Sequence, residues 1–471
     1  MSDSNSTPFS RHAAKPLWDE RLIRRYNVSG PRYTSYPTAL EFSEAYTPLM
    51  LAADAAFSQE SGSDLSLYVH LPFCAHLCYY CACNKIITKK RERARPYVER
   101  VLQEAALKAP MFGPQRPVRQ LHWGGGTPTF LPHEDMRLLM DGLRQQFNLA
   151  TDDDRDFSIE IDPRELREDT LEVLKELGFN RVSLGVQDLN PKVQEAVHRI
   201  QPREMTEAVL AKSRELGFRS INIDLIYGLP HQTLETFAET LEAIIAMAPD
   251  RLSVFNYAHL PDRFQPQTRI RAEDLPPPDV KLQILEYTIA RLTQAGYQYI
   301  GMDHFALPED SLAVAQRKGE LHRNFQGYTT HGDCDLVALG VSAIGQTDEA
   351  YFQNHHTLED WDRCVANGEL PLVKGVRLTR DDRIRRWVIK ELCCQFAIDY
   401  DQFQAQWNEP FTRYFQNELG ALQRMAQDGL LTLENNRLQV LAPGRLLIRV
   451  IAQTFDSYRQ EQASSRFSRI I

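Results

Sequence analysis

Short apolar runs of strand character recur along the first half of the chain. They lie at 65–71 (LSLYVHL), 118–123 (VRQLHW), 157–161 (FSIEI), 181–187 (RVSLGVQ), 220–227 (SINIDLIY) and 251–258 (RLSVFNYA). Amphipathic patterns of helical period separate them at 131–148, 164–179, 203–217, 232–248 and 278–295. Within 164–179, Leu171, Leu174 and Leu177 recur every third residue and Val173 lies four before Leu177, the spacing of one buried helix face. Strands alternating with helices predict βα units around a parallel sheet. Runs at 297–305 and 336–344 add further strand. The expected fold is α/β, a barrel or partial (β/α) barrel over residues 65–365, with a doubly wound open sheet as the alternative.

The flanks differ from this core. Residues 1–64 are rich in Ser, Pro, Arg and Tyr and lack periodicity, so they are expected to form an N-terminal arm or lid. From 366 to 471 the patterns at 382–397 and 410–427 predict helices. Asn435-Asn436 then separates two alternating runs, a hairpin signal. Helices followed by a hairpin predict a smaller, mostly helical, winged-helix-like domain. A DNA-reading role is disfavoured: helix 410–427 sets only Arg413 and Arg424 against Glu418, and the 471-residue chain carries net charge −9. Ordinary composition (43% hydrophobic, 25% charged) excludes wholesale disorder. No apolar run approaches the ~18 residues of a membrane span, and the polar start lacks a secretory core. A cytoplasmic monomer with no nucleic-acid partner is expected.

Cysteine placement changes the picture. Four of eight cysteines, Cys74, Cys78, Cys81 and Cys83, fall within ten residues directly after the first strand. In a reducing compartment such a cluster points to metal or redox chemistry rather than disulfides. The x3, x2 spacing of Cys74, Cys78 and Cys81 suits three corners of a [4Fe–4S] cluster, leaving one iron open. Zinc is the rival, but structural zinc sites want four ligands, usually as two pairs, and no second pair exists. Cys83 and His76 stand as further ligand candidates. After the second strand comes Gly124-Gly125-Gly126-Thr127-Pro128, a turn that lets backbone approach a ligand and offers amides to an anion. Polar residues end later strands: Glu160 and Asp162, Gln187, Asp224, and Ala258-His259. In βα barrels these ends gather into one site. Arg199 could add a guanidinium fork for a carboxylate.

The cysteine spacing after strand one, with Tyr80 before the third cysteine, resembles the radical S-adenosylmethionine (SAM) superfamily. The resemblance implies that the open iron binds SAM and that one-electron reduction cleaves it to a 5′-deoxyadenosyl radical. The glycine turn is similar to the element that holds the methionyl part, with Thr127 where an acidic residue is often found. Fuller strings narrow the match: Gly30-Pro31-Arg32-Tyr33-Thr34-Ser35-Tyr36-Pro37-Thr38, Cys78-Tyr79-Tyr80-Cys81-Ala82-Cys83-Asn84, Glu160-Ile161-Asp162-Pro163-Arg164-Glu165 and Arg323-Asn324-Phe325-Gln326-Gly327-Tyr328. From about residue 20 to the C-terminal hairpin, the chain resembles the oxygen-independent coproporphyrinogen III oxidases. That family implies conversion of two propionates of coproporphyrinogen III to vinyl groups, in haem (porphyrin) biosynthesis, with loss of two CO2.

By the same resemblance, Cys74, Cys78 and Cys81 hold the cluster, and Tyr68, Gly125, Glu160, Ala258 and Ile344 contact the cluster-bound SAM. Tyr80, Gly126, Thr127, Gln187, Arg199 and Asp224 contact a second SAM. Cys83 is then not a ligand, the arm around Arg32–Thr38 closes over the pocket, and a flavodoxin- or ferredoxin-like protein donates electrons. Arg24, Arg25 and Arg32 are candidates for the substrate carboxylates. Two alternatives share the cysteine loop. A haem chaperone typically lacks Cys83 and the arm, and a radical enzyme for another substrate is disfavoured by the arm and the RNFQGY segment.

Overall fold

The computed structural model describes residues 15–434 and 436–459. Asn435 of the expected hairpin, and the outer ends of the segments 1–64 and 366–471, lie outside the described residues. The chain forms two compact units. One takes residues 33–288 and 331–386; the other takes the remaining described residues.

The larger unit is built on one sheet. Its strands are β1 (Leu65–Leu71), β2 (Pro117–Gly125), β3 (Asp156–Ile161), β4 (Arg181–Gln187), β5 (Ser220–Tyr227), β6 (Arg251–Asn256), β7 (Asp335–Leu339), β8 (Ile344–Gln346), β9 (Ala350–Asn354) and β10 (Leu372–Arg377). Their order is β6-β5-β4-β3-β2-β1-β7-β8-β9-β10. Neighbours from β6 through β7 pair in parallel, and β8, β9 and β10 continue antiparallel. Five successive strands are added in one direction from β1, each one βα unit further round as in a βα barrel, and β7 pairs in parallel with the other edge of β1. The order has two ends, so the sheet is a partial barrel. Parallel register aligns the strand ends: His70 pairs with Gly124 and Leu71 with Gly125. That alignment sets the glycine turn beside the start of the cysteine loop.

Helices α1 (Ala94–Phe112), α2 (His133–Gln146), α3 (Thr170–Glu176), α4 (Arg203–Glu215) and α5 (Leu234–Met247) connect successive strands. Helix α1 is absent from the periodic patterns singled out above. Its buried face, Ala94, Tyr97, Val98, Val101, Glu104, Ala105, Lys108, Ala109 and Phe112, carries three alanines and two charged residues, which weakens the apolar contrast that pattern reading relies on. The helix expected at 164–179 is shorter. Asp162 accepts from the backbone N–H of Arg164 (3.1 Å), a single 3-10 turn follows, and α3 begins only at Thr170. Burial inside the sheet is dense: Trp123 is fully buried and meets Phe179 edge to face at 4.9 Å.

An ion pair lies buried between α1 and β7. Lys108 donates to Glu104 (2.6 Å), and the Glu104 carboxylate also accepts from Asn354 (2.7 Å), the Gly340 backbone N–H (2.8 Å) and the Trp361 indole (2.9 Å).

In the smaller unit the run expected as one strand at 297–305 is a hairpin, Gln298–Gly301 with His304–Ala306, turning where Met302 has φ 51°. The run 336–344 likewise divides, since Gly340 (φ 97°) ends β7 and Ile344 opens β8. The helix expected at 410–427 breaks at Phe415, whose ring packs with Phe411 (5.0 Å). Leu431–Glu434 pairs with Arg437–Val440 as the hairpin signal predicts, and Ala397–Asp399 adds a third strand. Among the described residues no helix is long and apolar enough to cross a membrane.

Candidate active site

The cysteine loop is a closed ring of chain. Phe73–Cys74 pairs in parallel with Ile86–Ile87, tying the loop's exit to its entry. Inside it Cys81 N–H donates to Cys78 C=O (3.2 Å), and the Lys85 ammonium donates to the carbonyls of Cys81 (3.0 Å) and Cys83 (3.2 Å). Outside it Tyr79 N–H donates to Val197 C=O (3.0 Å), and the Tyr79 ring stacks on His198 at 5.0 Å. The loop is thus held from both flanks.

The turn after β2 seats against the loop's entrance. Gly126 N–H donates to Leu71 C=O (2.8 Å) and Thr127 N–H to Phe73 C=O (2.7 Å). A Cβ on Gly126 would stand 2.6 Å from the Pro72 carbonyl group, so only glycine fits there. Gly125, at φ 113°, faces the His70 ring in the same way. His70 bridges Tyr68 Oη (3.0 Å) and the carbonyl of Asn84 (3.0 Å), next to Cys83. Glu160 at the end of β3 accepts from Gly125 N–H (3.1 Å) and faces His122 Nε2 at 3.4 Å.

A charged cluster backs Cys78. Asp162 joins Arg164 (2.6 Å) and Arg199 (3.1 Å), and the two guanidiniums reach Cys78 Sγ at 3.4 and 3.6 Å. Burial pushes the Asp162 carboxyl up, but Arg199 and then Arg164 outweigh it and bring it to about 2. Its folded value lies below the usual ~3.9, so its stabilisation, on the order of 2 kcal/mol, is complete above that pH and is lost as pH falls towards 2. In acid denaturation of cluster-free protein, Asp162→Asn is expected to be less stable at neutral pH and to lose less between pH 4 and 2. A parallel pair of curves would count against this account.

The three candidate ligands differ. Burial pushes the Cys74 thiol up to about 12, although Thr127 Oγ1 donates to it (3.5 Å). The Cys81 thiol is drawn down to about 6, first by a hydrogen bond from Cys83, against burial, and then by Lys85. Asp224 in β5 accepts from Asn222 (2.8 Å) and Ser183 (3.1 Å), while burial raises its pKa.

These groups line one cavity of about 220 Å3. Of the residues singled out in the sequence, it gathers Cys74, His76, Cys78, Tyr80, Cys81, Cys83, Gly125, Gly126, Thr127, Glu160, Asp162, Gln187, Arg199 and Asp224. Tyr68, Ala258 and Ile344 do not line it. Tyr68 lies behind the wall, bonded to His70 and stacked at 5.9 Å on His122, the partner of Glu160; Ala258 follows β6, and Ile344 opens β8. Sequence reading missed His70, Lys85, Ser183 and the role of Arg164. The first two had a signal: His70 shares a face of β1 with Tyr68, and Lys85 is the cation closing the cysteine loop.

The donor set fits an iron–sulfur cluster. Three soft thiols line one cavity with Lys85, Arg164 and Arg199 around them, and cationic neighbours favour thiolates. Arg199 Nε is buried without a hydrogen-bond partner, so part of its fork remains free for an anion. Among the described residues no three His, Cys, Asp or Glu side chains converge as a single metal ion demands. A parallel sheet with this loop after its first strand and this turn after its second defines a radical SAM enzyme. Sequence comparison agrees: residues 68–244 match the Radical SAM superfamily, and 378–447 match the HemN C-terminal domain.

The chain is 52% identical over 454 residues to the oxygen-independent coproporphyrinogen III oxidase of Pseudomonas aeruginosa, covering 96% of this chain and 99% of that one. It is 52% identical over 456 residues to the protein of the same name from Escherichia coli, covering 96% and 98%. The solved structure of coproporphyrinogen III oxidase (HemN) from Escherichia coli, a radical SAM enzyme, matches with TM-score 0.89 at 50% identity, over 95% of this chain and 100% of that one. This chain belongs to the oxygen-independent coproporphyrinogen III oxidase family.

Proposed function

We propose that this chain oxidatively decarboxylates two propionates of coproporphyrinogen III to vinyl groups, giving protoporphyrinogen IX. The observation that carries this is the wall of three thiols facing Glu160 and Gly125 in a chain related along its whole length to oxidases of that name. Cys74, Cys78 and Cys81 would hold a [4Fe–4S] cluster. Bound together, the cluster and SAM supply a one-electron cleavage able to abstract hydrogen from the β-carbon of a propionate.

The protein's part is placement. Glu160, fixed by Gly125 N–H and His122, presents a carboxylate to the ligand amine, and Gly125 and Gly126, without side chains, let a ligand approach their backbone at the cavity wall. Tyr68, Ala258 and Ile344 are assigned to the same SAM. Tyr80, Gly126, Thr127, Gln187, Arg199 and Asp224 are assigned to a second, with Asp224 taking ribose hydroxyls and Arg199 a carboxylate. A flavodoxin- or ferredoxin-like donor, a cytoplasmic setting and a monomeric state complete the reading. The alignment of the β-carbon with the reacting group is the costly requirement that such a pocket meets.

The test is anaerobic turnover with a low-potential reductant, SAM, coproporphyrinogen III and an electron acceptor. Paired appearance of protoporphyrinogen IX and 5′-deoxyadenosine is expected. Deoxyadenosine without decarboxylation would sink the substrate assignment. For the second SAM, equilibrium dialysis is expected to give two bound per chain and one in Asp224→Ala, with turnover lost. Saturation at one in the unaltered protein would end that assignment.

A further inference from the structure

Over residues 85–95 the chain carries six cations, Lys85, Lys89, Lys90, Arg91, Arg93 and Arg95, against the single acid Glu92, although its net charge is −9. This stretch lies wholly in the larger unit and begins on the strand that closes the cysteine loop. Ile87 pairs there with Cys74, and a hydrogen bond from Thr88 N–H to Cys74 C=O (2.9 Å) extends the pairing. Neighbouring strands run about 4.8 Å apart. The basic stretch therefore starts within one strand spacing of a residue assigned to the cluster.

Half of these cations are engaged. Lys85 is bonded inside the loop. Arg91 pairs with Glu165 (2.8 Å) and donates to Phe130 C=O (2.6 Å), and Arg95 pairs with Asp135 (2.5 Å). Glu165 and Asp135 are buried, so both ends of the turn 91–95 are pinned to the unit. Lys89, Lys90 and Arg93 are exposed, and among the described residues none of the three makes an ion pair. Ile87, 42% exposed, adds an apolar side chain next to them in the chain. None of these four residues lines the cavity. The result is a fixed apron of positive charge with an apolar spot, joined to the cysteine loop but outside the ligand site.

Unpaired like charges repel one another, and a patch of one sign raises the encounter rate with a partner of the other. The reaction read for this chain takes one thing from a second protein, an electron, and electron transfer falls off steeply with distance. A carrier must therefore seat close to the thiols without entering the cavity assigned to SAM. We propose that Ile87, Lys89, Lys90 and Arg93 are the docking surface for an acidic one-electron carrier with an exposed flavin, a protein of the flavodoxin class. The proposal rests on the electron-donor reading given above. The three cations face carboxylates around the flavin, and Ile87 meets the apolar edge of its ring. One electron leaves the anionic flavin hydroquinone, which becomes the neutral semiquinone, and takes the cluster from its oxidised to its reduced state. No bond breaks and no proton moves. Contacts of this kind govern association rate and salt dependence more than affinity.

The experiment uses the full chain loaded with its cluster, anaerobically, with reduced flavodoxin as donor and stopped-flow absorbance of the flavin as readout. The second-order rate constant of the unaltered protein is expected to fall with rising ionic strength. In Lys89→Glu/Lys90→Glu/Arg93→Glu it should fall roughly 10-fold or more at low salt and lose that salt dependence. Lys89→Gln/Lys90→Gln/Arg93→Gln should lie between the two, and it decides the matter if charge reversal lowers iron content. Ile87→Ser should slow reduction while keeping the salt dependence. Iron content, SAM binding and the yield of SAM cleavage with excess dithionite should match the unaltered protein. A charge-reversed variant that flavodoxin reduces as fast as the unaltered protein would overturn the docking surface and leave the donor reading intact. So would a variant changed only by a raised KM for coproporphyrinogen III, which would make the apron a substrate-steering surface. A charge-dependent rate with reduced ferredoxin and none with flavodoxin would overturn the choice of occupant. An unaltered protein that dithionite reduces and flavodoxin does not would instead overturn the donor reading beneath it.

Discussion

Glu104→Ala is expected to lower stability by at least about 3–5 kcal/mol, the range for a buried ion pair that loses one partner. The substitution leaves Lys108, 1% exposed, as an uncompensated buried cation. It also strips acceptors from the Gly340 N–H, the Trp361 indole and the Asn354 amide. The thermal midpoint of the variant should fall by several degrees or more. The double variant Glu104→Leu/Lys108→Met separates the two costs. Removing both charges should restore the part due to the stranded ammonium, because a buried pair exchanged for apolar volume is often close to neutral. The deficit from three orphaned donors, on the order of 1–3 kcal/mol each, should persist. Complete recovery in the double variant would show that the hydrogen bonds to Glu104 contribute nothing.

Cys78→Ser is expected to abolish SAM cleavage. Changes to groups that merely touch a metal's ligands cost about 10–100-fold in metal affinity or activity, so loss of a ligand should exceed roughly 100-fold. Cys78 also accepts from both Arg164 and Arg199, contacts that the substitution weakens while Asp162 still pairs both guanidiniums. Deoxyadenosine release and iron per chain after anaerobic reconstitution are the readouts. Cys83→Ser supplies the contrast. Cys83 lines the cavity too, but it donates to Cys81 rather than standing as a separate corner. Its serine variant, which keeps a hydroxyl donor, should retain iron. Iron lost equally from both variants would make Cys83 a ligand and refute the three-cysteine assignment.

The parts of this site that were legible in the sequence are local ones. Cys74, Cys78 and Cys81 announce themselves by spacing, and Gly124–Gly126 by following a strand. Glu160, Gln187 and Asp224 could be placed because βα topology puts strand ends together, and the structure brings them into one cavity. What was not legible depends on contacts between distant segments. Arg164 was expected inside a helix; instead Asp162 holds its backbone and side chain and aims it at Cys78, 86 residues away in sequence. No periodicity encodes that. The 297–305 hairpin was misread because Met302 turns the chain at positive φ, a conformation that glycine or asparagine usually marks. The three arginines of the arm were reasonable carboxylate binders by charge alone, but Asp428 and Asp303, hundreds of residues later, neutralise Arg25 and Arg32, and Glu20, one turn earlier, neutralises Arg24.

The pairing of β1 with β7 has a consequence for synthesis. Leu65 through Val69 lie beside Asp335 through Leu339, whereas the other neighbour, β2, follows within the next segment of chain. A ribosome adding roughly 5–20 residues per second needs on the order of 15–50 s to travel from one to the other. Through that interval the strand that leads into the cysteine loop has one open edge, with backbone donors and acceptors ready to capture any extended segment nearby. The nascent chain is most vulnerable to aggregation, and most in need of a chaperone, while β7 is still to be translated.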